Sequence, residues 1–282
     1  MYKFAVVMYE SLRLQYMDKG ILTQWIEERV KRGLYCFTVE DIEKALPSIV
    51  PATMRIALHR QRDKGRIVSP WRNFYMIVPE EYSLNGQVPA HLFIEPLMSY
   101  LGKDYYVCLL NAAALHGASH QAVMTFSVMT SAPAIRSGVK NGLRMNFYSR
   151  KWMPMQYVVR RKTKTGFYNV SSPELTALDL VANQEHVGGL NRVAVVLGEL
   201  AESMDAGKMD MELMGFFSVA DVQRLGYILD VVLGERELAD SIFERMGKNF
   251  RKAALKIGKP AEDCDYDRRW RLMINETIDD EA

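Results

Sequence analysis

His116 and His120 stand four residues apart, the spacing that puts two imidazoles on one face of a continuous helix, within reach of one metal ion. Gly117 interrupts that helix, and the nearest thiol, Cys108, offers no third ligand at a recognisable spacing. Ordinary loop or cap histidines are expected, with no metal and no cofactor. Phosphodiester hydrolysis would want paired carboxylates with a lysine beside them to hold a metal and polarise water. The chain has no Asp/Glu-x-Lys triplet, no GxxxxGKS/T or GxGxxG loop and no GxSxG elbow. Cys36, Cys108 and Cys264 form neither a CxxC knuckle nor a clear Cys–His pair. Ser137-Gly138-Val139-Lys140-Asn141-Gly142 reads as a turn between strands. No catalytic residues and no enzyme are expected.

A different chemistry gathers between residues 53 and 72, where Thr53, Arg55, His59, Arg60, Arg62, Lys64, Arg66, Trp71 and Arg72 stand. Guanidinium and ammonium groups neutralise phosphates, and an arginine can also bond the outer edge of guanine. Arg55, His59 and Arg62 fall at helical spacing on one face, with Thr53, Arg60 and Lys64 alongside; Met54, Ala57, Leu58 and Gln61 fall on another and are expected in the core. Thr53 and Arg55 are the expected base-edge contacts, joined in DNA recognition by His59 and Arg62. Arg60, Lys64, Arg66 and Arg72 are the expected phosphate ligands, with Trp71 beside them.

Three helices and a hairpin must position these groups. Glu10 to Arg32 has helical apolar spacing and ends at Gly33. A second helix begins at Thr38, whose hydroxyl can cap it and whose first turn is acidic, and it ends near Leu46-Pro47. A third opens with Pro51 and runs to Gly65. Two strand-like runs, Arg66–Ser69 and Phe74–Val78, are joined by the turn Pro70-Trp71-Arg72-Asn73. This order predicts a winged helix-turn-helix whose third helix enters the major groove while the hairpin touches the flanking backbone or minor groove. The alternatives are a basic helix used only for packing and a winged helix that docks a protein.

The loop-like stretch Glu80–Gly86 sets a boundary, giving a DNA-binding domain over 1–82 and a second domain over 83–282, mixed in 83–190 and mostly helical in 191–282. Helices are expected over His91–Tyr100 and Leu109–His116, and strands over Val123–Met129, Leu143–Tyr148, Met155–Arg161 and Gly166–Val170. Ser172-Pro173-Glu174 is a helix start, with a cap, a proline in the first turn and an acid behind it. Arg160-Arg161-Lys162-Thr163-Lys164 reads as a solvated hairpin tip, or else as extra footprint on DNA, RNA or an acidic surface. Lys248 to Lys256 is expected as a helix that packs Phe250, Ala254 and Leu255 inward, and the methionines of Met204–Met214 as core filling rather than an adaptable docking surface. The fold class is α+β.

The 282 residues, 49% of them hydrophobic and 25% charged, suit a globular protein of one large or two ordinary domains. No signal peptide or membrane-spanning run is evident, and three scattered cysteines suit a reducing compartment, so a cytoplasmic protein with no membrane partner is expected. The net charge of +2 conceals an uneven spread. Residues 1–80 hold 13 Lys+Arg against 9 Asp+Glu, residues 81–200 hold 11 against 7, and residues 201–282 hold 12 against 18. The front attracts polyanions, whereas the rear repels them.

Two blocks carry a resemblance. Tyr105-Tyr106-Val107 through Ala112-Ala113-Ala114-Leu115-His116-Gly117-Ala118-Ser119-His120, and Tyr168-Asn169-Val170-Ser171-Ser172-Pro173-Glu174-Leu175-Thr176-Ala177-Leu178-Asp179-Leu180-Val181 with Gly188-Gly189-Leu190 after it, resemble the AbiEi-type antitoxins of abortive-infection (type IV) toxin–antitoxin systems. The resemblance runs from about Thr38 to Leu200 and leaves residues 1–33 and 201–282 unmatched. It implies an N-terminal domain that binds operator DNA and represses its own operon in phage defence. It also implies a C-terminal region that counters a nucleotidyltransferase-like toxin, by contact or indirectly. Half-sites would be paired by a dimer or by two monomers meeting on DNA. A one-component transcription factor with a ligand-sensing C-terminal domain is the first alternative, and a metal-dependent nuclease the second. In the second block the residues mainly describe a capped, buried helix, and neither Glu174 nor Asp179 is expected to be catalytic.

Overall fold

Thr38 ends a strand and starts a helix, and its local bonds show why. Its hydroxyl accepts from the Asp41 backbone N–H (3.2 Å), and the Asp41 carboxylate accepts from the Thr38 backbone N–H (2.8 Å), a reciprocal capping box that satisfies two otherwise free donors. The structure is a computed structural model that describes residues 20–84, 87–118, 124–140, 142–247 and 249–278. Its chain divides into two units, described here one at a time. The first holds the described residues through Lys103, with Gly138–Met145 and Lys162–Tyr168; the second holds Asp104–Ser137, Asn146–Arg161 and the described residues from Asn169 onward.

In the first unit, helix α1 covers residues 20–31 and ends at Gly33, which takes φ +71°. The expected helix thus stands over its described part; residues 10–19 lie outside the described residues. Strand β1 (Cys36–Thr38), helix α2 (Val39–Ala45), helix α3 (Pro51–Asp63) and strands β2 (Ile67–Trp71) and β3 (Phe74–Ile77) follow. The strands form one antiparallel sheet in the order β1-β3-β2. Leu22 and Ile26 of α1, Ile42 of α2, Met54, Ala57 and Leu58 of α3, and Ile67 and Ile77 of the hairpin share a core with Phe37. Phe37 stacks on Tyr75 and meets Trp25 edge-on, with ring centroids 5.4 and 5.2 Å away.

Three expectations are corrected here. The hairpin turn is shorter than Pro70–Asn73: β2 runs on through Pro70 and Trp71, Trp71 pairs with Phe74, and only Arg72 and Asn73 make the turn. The cause is a register irregularity between Val68 and Trp71, where the Ser69 hydroxyl donates to the carbonyls of Trp71 and Phe74 and proline's missing N–H does no harm. Asn73 accepts the left-handed conformation, φ +58°. Helix α4 (Ile94–Leu101) starts later than His91 because a 3-10 turn, Ala90–Leu92, precedes it. In the same unit Gly138–Lys140 (β6) pairs with Leu143–Met145, the first residues of β7 (Leu143–Arg150), so this glycine-containing stretch is a strand rather than a turn. Asn141 lies outside the described residues.

The second unit is built on strands in the order β7-β5-β4-β9-β8: β4 Tyr105–Val107, β5 Thr125–Ser131, and those parts of β7, β8 (Val158–Thr163) and β9 (Gly166–Ser171) that fall in 146–150, 158–161 and 169–171. β4 pairs antiparallel with β5 and parallel with β9. All three of its residues are buried, which is why no alternation marked it as a strand. Met155–Tyr157 is a 3-10 turn, so β8 starts at Val158 rather than Met155. Helices α5 (Leu109–Leu115), α6 (Pro173–Ala182), α7 (Gln184–Val187) and α8 (Leu190–Ala201) follow the strands in one core with α9 (Met211–Gly215), α10 (Val219–Tyr227) and α11 (Arg236–Met246). Ser172 caps α6, its hydroxyl accepting from the Leu175 N–H at 3.3 Å. Met209 and Met214 fill this core, whereas Met211 is exposed.

Beyond α11 the chain departs from the expected helices. Ala253–Ala254 (β10), Asp265–Asp267 (β11) and Leu272–Ile274 (β12) make a small sheet in the order β10-β12-β11. Phe250 and Leu255 are buried as expected, but from irregular backbone on either side of β10. The sheet is tied to α10 by side chains that replace a helical hydrogen-bond ladder. Gln223 Nε2 donates to the Arg251 and Trp270 carbonyls, and Arg224 donates to those of Ala254 and Leu255.

Candidate nucleic-acid interface

Helix α3 divides cleanly by burial. Thr53, Met54, Ala57, Leu58 and Gln61 are buried, while Ala52, Arg55, Ile56, His59, Arg60, Arg62, Asp63 and Lys64 are exposed. At 100° per residue, Ala52, His59 and Asp63 centre the exposed arc, with Arg55 and Ile56 on either side. Pro51 occupies the first position, and the helix has no side-chain cap at Val50. Its last turn carries Arg60 and Arg62, which suit the negative end of the helix dipole.

The expected DNA-contacting residues are not all brought together. Arg55, His59, Arg60, Arg62 and Lys64 stand on or beside one exposed face, and Arg66 and Arg72 are exposed on the segments that follow. Thr53 turns the other way. It is 7% exposed, because its position falls on the line of Ala57 and Gln61, so its hydroxyl does not present itself to a base edge. Trp71 is half-buried in the hairpin, and its neighbour Arg72 occupies the tip. Local bonds hold several of these groups: Arg55 Nε reaches the Pro51 carbonyl (3.4 Å), His59 Nδ1 lies 2.7 Å from Asp63, and Arg66 lies 3.9 Å from Glu27. Burial raises the Tyr75 phenol, with the Arg62 charge opposing it. Ile56 was not singled out by its sequence, although its spacing to Arg55, His59 and Arg60 puts it on their face. Together with Asp63 these residues line one shallow recess.

In the second unit the polar groups of the two sequence blocks serve structure. His116 caps the end of α5: Nε2–H donates to the Ser171 carbonyl (2.7 Å), and Nδ1 accepts from Arg161 (3.3 Å). Burial lowers its pKa and keeps it neutral. Arg161 also donates to the Leu115 carbonyl (2.9 Å), so this member of the basic cluster is tied to α5 rather than solvated. Lys164, in the first unit, pairs with Glu81 at 2.5 Å. Glu174 is buried and accepts from the Asp205 N–H (2.9 Å). Asp179 is fully buried and meets Arg150 at 3.1 Å; burial pushes its carboxyl up to about 6 despite the arginine. His120 lies outside the described residues. Among the described residues no group of three or more His, Cys, Asp or Glu side chains could hold a metal ion, and no helix is long and apolar enough to cross a membrane.

Comparison with known proteins adds the following. Residues 105–231 match the AbiEi antitoxin C-terminal domain family. The fold is similar to the crystal structure of the RV2827C protein from Mycobacterium tuberculosis, with TM-score 0.63 and 15% identity over 89% of each chain. An antigenic nucleotidyltransferase-like protein from Paracoccidioides brasiliensis aligns with TM-score 0.34 and 9% identity over 54% of this chain and 90% of that one. No curated protein matches the chain.

Proposed function

We propose that this chain, which carries an AbiEi antitoxin C-terminal domain over residues 105–231, is the DNA-binding antitoxin and autorepressor of a type IV, abortive-infection toxin–antitoxin operon. The toxin it counters is a nucleotidyltransferase-like protein, as its resemblance to the family implies. We read the first unit's order of helix, strand, helix, helix and hairpin as a winged helix-turn-helix over residues 1–82, with α3 as the recognition helix. The observation that carries this reading is the division of α3, where the cations stand on one exposed face and the apolar residues enter the core.

On this reading Arg55 and His59 face base edges, while Arg60, Arg62, Lys64, Arg66 and Arg72 hold phosphates or the edge of the groove. An uncapped, proline-started helix N-terminus adds free N–H groups that favour a phosphate.

The test is a gel shift on the DNA upstream of the chain's own reading frame, run beside rescue of cells that express the neighbouring toxin. Arg55→Ala with Arg62→Ala should abolish retention and leave rescue intact. Wild-type affinity should fall steeply with salt, and each lost phosphate ligand should lower the log–log slope by about 0.9. Unchanged retention of the double variant at moderate salt would refute α3 as the DNA reader.

A further inference from the structure

Ile56 is 49% exposed on α3, and it does not enter the core that Met54, Ala57 and Leu58 fill. Its neighbours in the recess are Arg55, His59, Arg60 and Asp63. Cations that bind phosphate or a base edge gain nothing from an aliphatic side chain in their midst while the face is in water. That side chain gains only when an apolar group covers it. The surrounding charge selects what can do so, since Arg55, Arg60, Arg62 and Lys64 against Asp63 leave this face cationic and draw a polyanion.

Within the major groove the choice is narrow. Adenine, guanine and cytosine present hydrogen-bonding atoms there, and thymine alone adds a methyl group. Ile56 lies in the N-terminal half of the helix, the part nearest the base edges when a recognition helix docks. Resting on the reading of α3 as that helix, we propose that Ile56 is a specificity-determining residue. It packs on the C5-methyl of a thymine, so the bound site carries a thymine beside the base edge that Arg55 faces. A protein docking surface would want a broader apolar patch than one isoleucine ringed by four ionisable side chains.

Deoxyuridine tests this, because it removes the methyl and leaves the pairing edge alone. Full-length protein selects its preferred duplex from a random-sequence library, and each thymine of that duplex is then replaced singly by deoxyuridine. With the wild type, at least one replacement should weaken binding about four-fold, the value of one buried methyl-sized group. With Ile56→Ala the same replacement should change nothing, and the variant should bind the thymine duplex about as weakly as the wild type binds the uracil duplex. Its far-ultraviolet circular dichroism and its affinity for unselected duplex should match the wild type, since the phosphate ligands are intact. The proposal is overturned if no thymine is methyl-sensitive, or if Ile56→Ala keeps the full sensitivity. Arg55→Ala with Arg62→Ala separates the two levels. If that variant binds the selected duplex as the wild type does, the assignment of α3 fails; if it loses binding while Ile56→Ala keeps its sensitivity, only the thymine contact fails. A wild type that selects no duplex overturns both.

Discussion

Replacing Gly226 by alanine would normally stabilise a helix. A glycine inside a helix costs about 1 kcal/mol relative to alanine, and Gly226 lies near the end of α10. Here the sign should reverse. A Cβ on Gly226 would stand 2.0 Å from Cζ3 and 2.2 Å from Cη2 of Trp270, where ordinary contact begins near 3.4 Å, so the indole would have to withdraw by about 1.4 Å. It has nowhere to go. Trp270 is fully buried, its Nε1–H donates to Asp230 at 2.9 Å, and its carbonyl accepts from Gln223 at 2.7 Å. Expelling a buried indole costs about 3–5 kcal/mol. After the helical gain, Gly226→Ala should destabilise the chain by roughly 2–4 kcal/mol. Urea unfolding followed by far-ultraviolet circular dichroism measures this without using tryptophan emission. The decisive control is the same change in a Trp270→Ala background, where Gly226→Ala should stabilise by up to about 1 kcal/mol. A midpoint for Gly226→Ala equal to or above that of the wild type would refute the close packing and, with it, the docking of residues 249–278 on α10.

Asp179 has a raised folded pKa of about 6, so the folded chain binds more protons than the unfolded one between about pH 4 and 6. This group therefore opposes folding by up to about 3 kcal/mol above pH 6 and ceases to do so as pH falls toward 4. Stability of the wild type relative to Asp179→Asn should rise over that interval, and a pH-independent difference would contradict the assignment. Ser172→Ala removes the cap of α6 and should cost about 1 kcal/mol in the same unfolding assay. Arg224→Ala strips the Ala254 and Leu255 carbonyls of their donor and the buried Asp221 pair of its cation. About 3 kcal/mol should be lost, with protease cleavage appearing after residue 249, and an unchanged digestion pattern would count against that tether. On the proposed reading, Asp63→Asn should strengthen DNA binding at low salt and leave high-salt binding unchanged.

The first unit was legible because its signals are local. Thr38 and Asp41 write a helix start within four residues, Pro51 and Gly65 bracket α3, and the alternation of burial on α3 follows from 3.6 residues per turn. What was missed there depends on partners far along the chain. β1 has only three residues and exists because β3 lies beside it. Trp71 joins β2 through a bulge that Ser69 secures. Thr53 is the instructive case: a small polar residue at the edge of the buried arc can face either way, and packing against the core decided it. The rear was least legible. Short strands such as Ala253–Ala254 carry no period, and the cue for the sheet is a glycine–tryptophan fit between residues 44 positions apart.

The two sequence blocks that carry the family likeness turn out to be mostly interior. Tyr105–Val107 is a central strand, Glu174–Val181 is buried on every side of α6, and His116 and Arg161 fasten α5 to its neighbours. Such residues identify a fold because packing constrains them. On the proposed reading, what selects an operator or a toxin is sought on the exposed faces rather than in these buried segments. On α3 the ordering of that face is itself informative. Ala52, Arg55 and Ile56 lie toward the N-terminus, and the one carboxylate, Asp63, lies at the C-terminal end against His59. A carboxylate pressed against phosphate would repel it, so the proposed docking has the N-terminal half deepest in the groove and the C-terminal turn lifted toward solvent. Lys64 and Arg66, just beyond that turn, are then left to hold the groove's rim. On the proposed reading the near-neutral total charge conceals this arrangement, because DNA would meet the order of charges along one helix face rather than their sum.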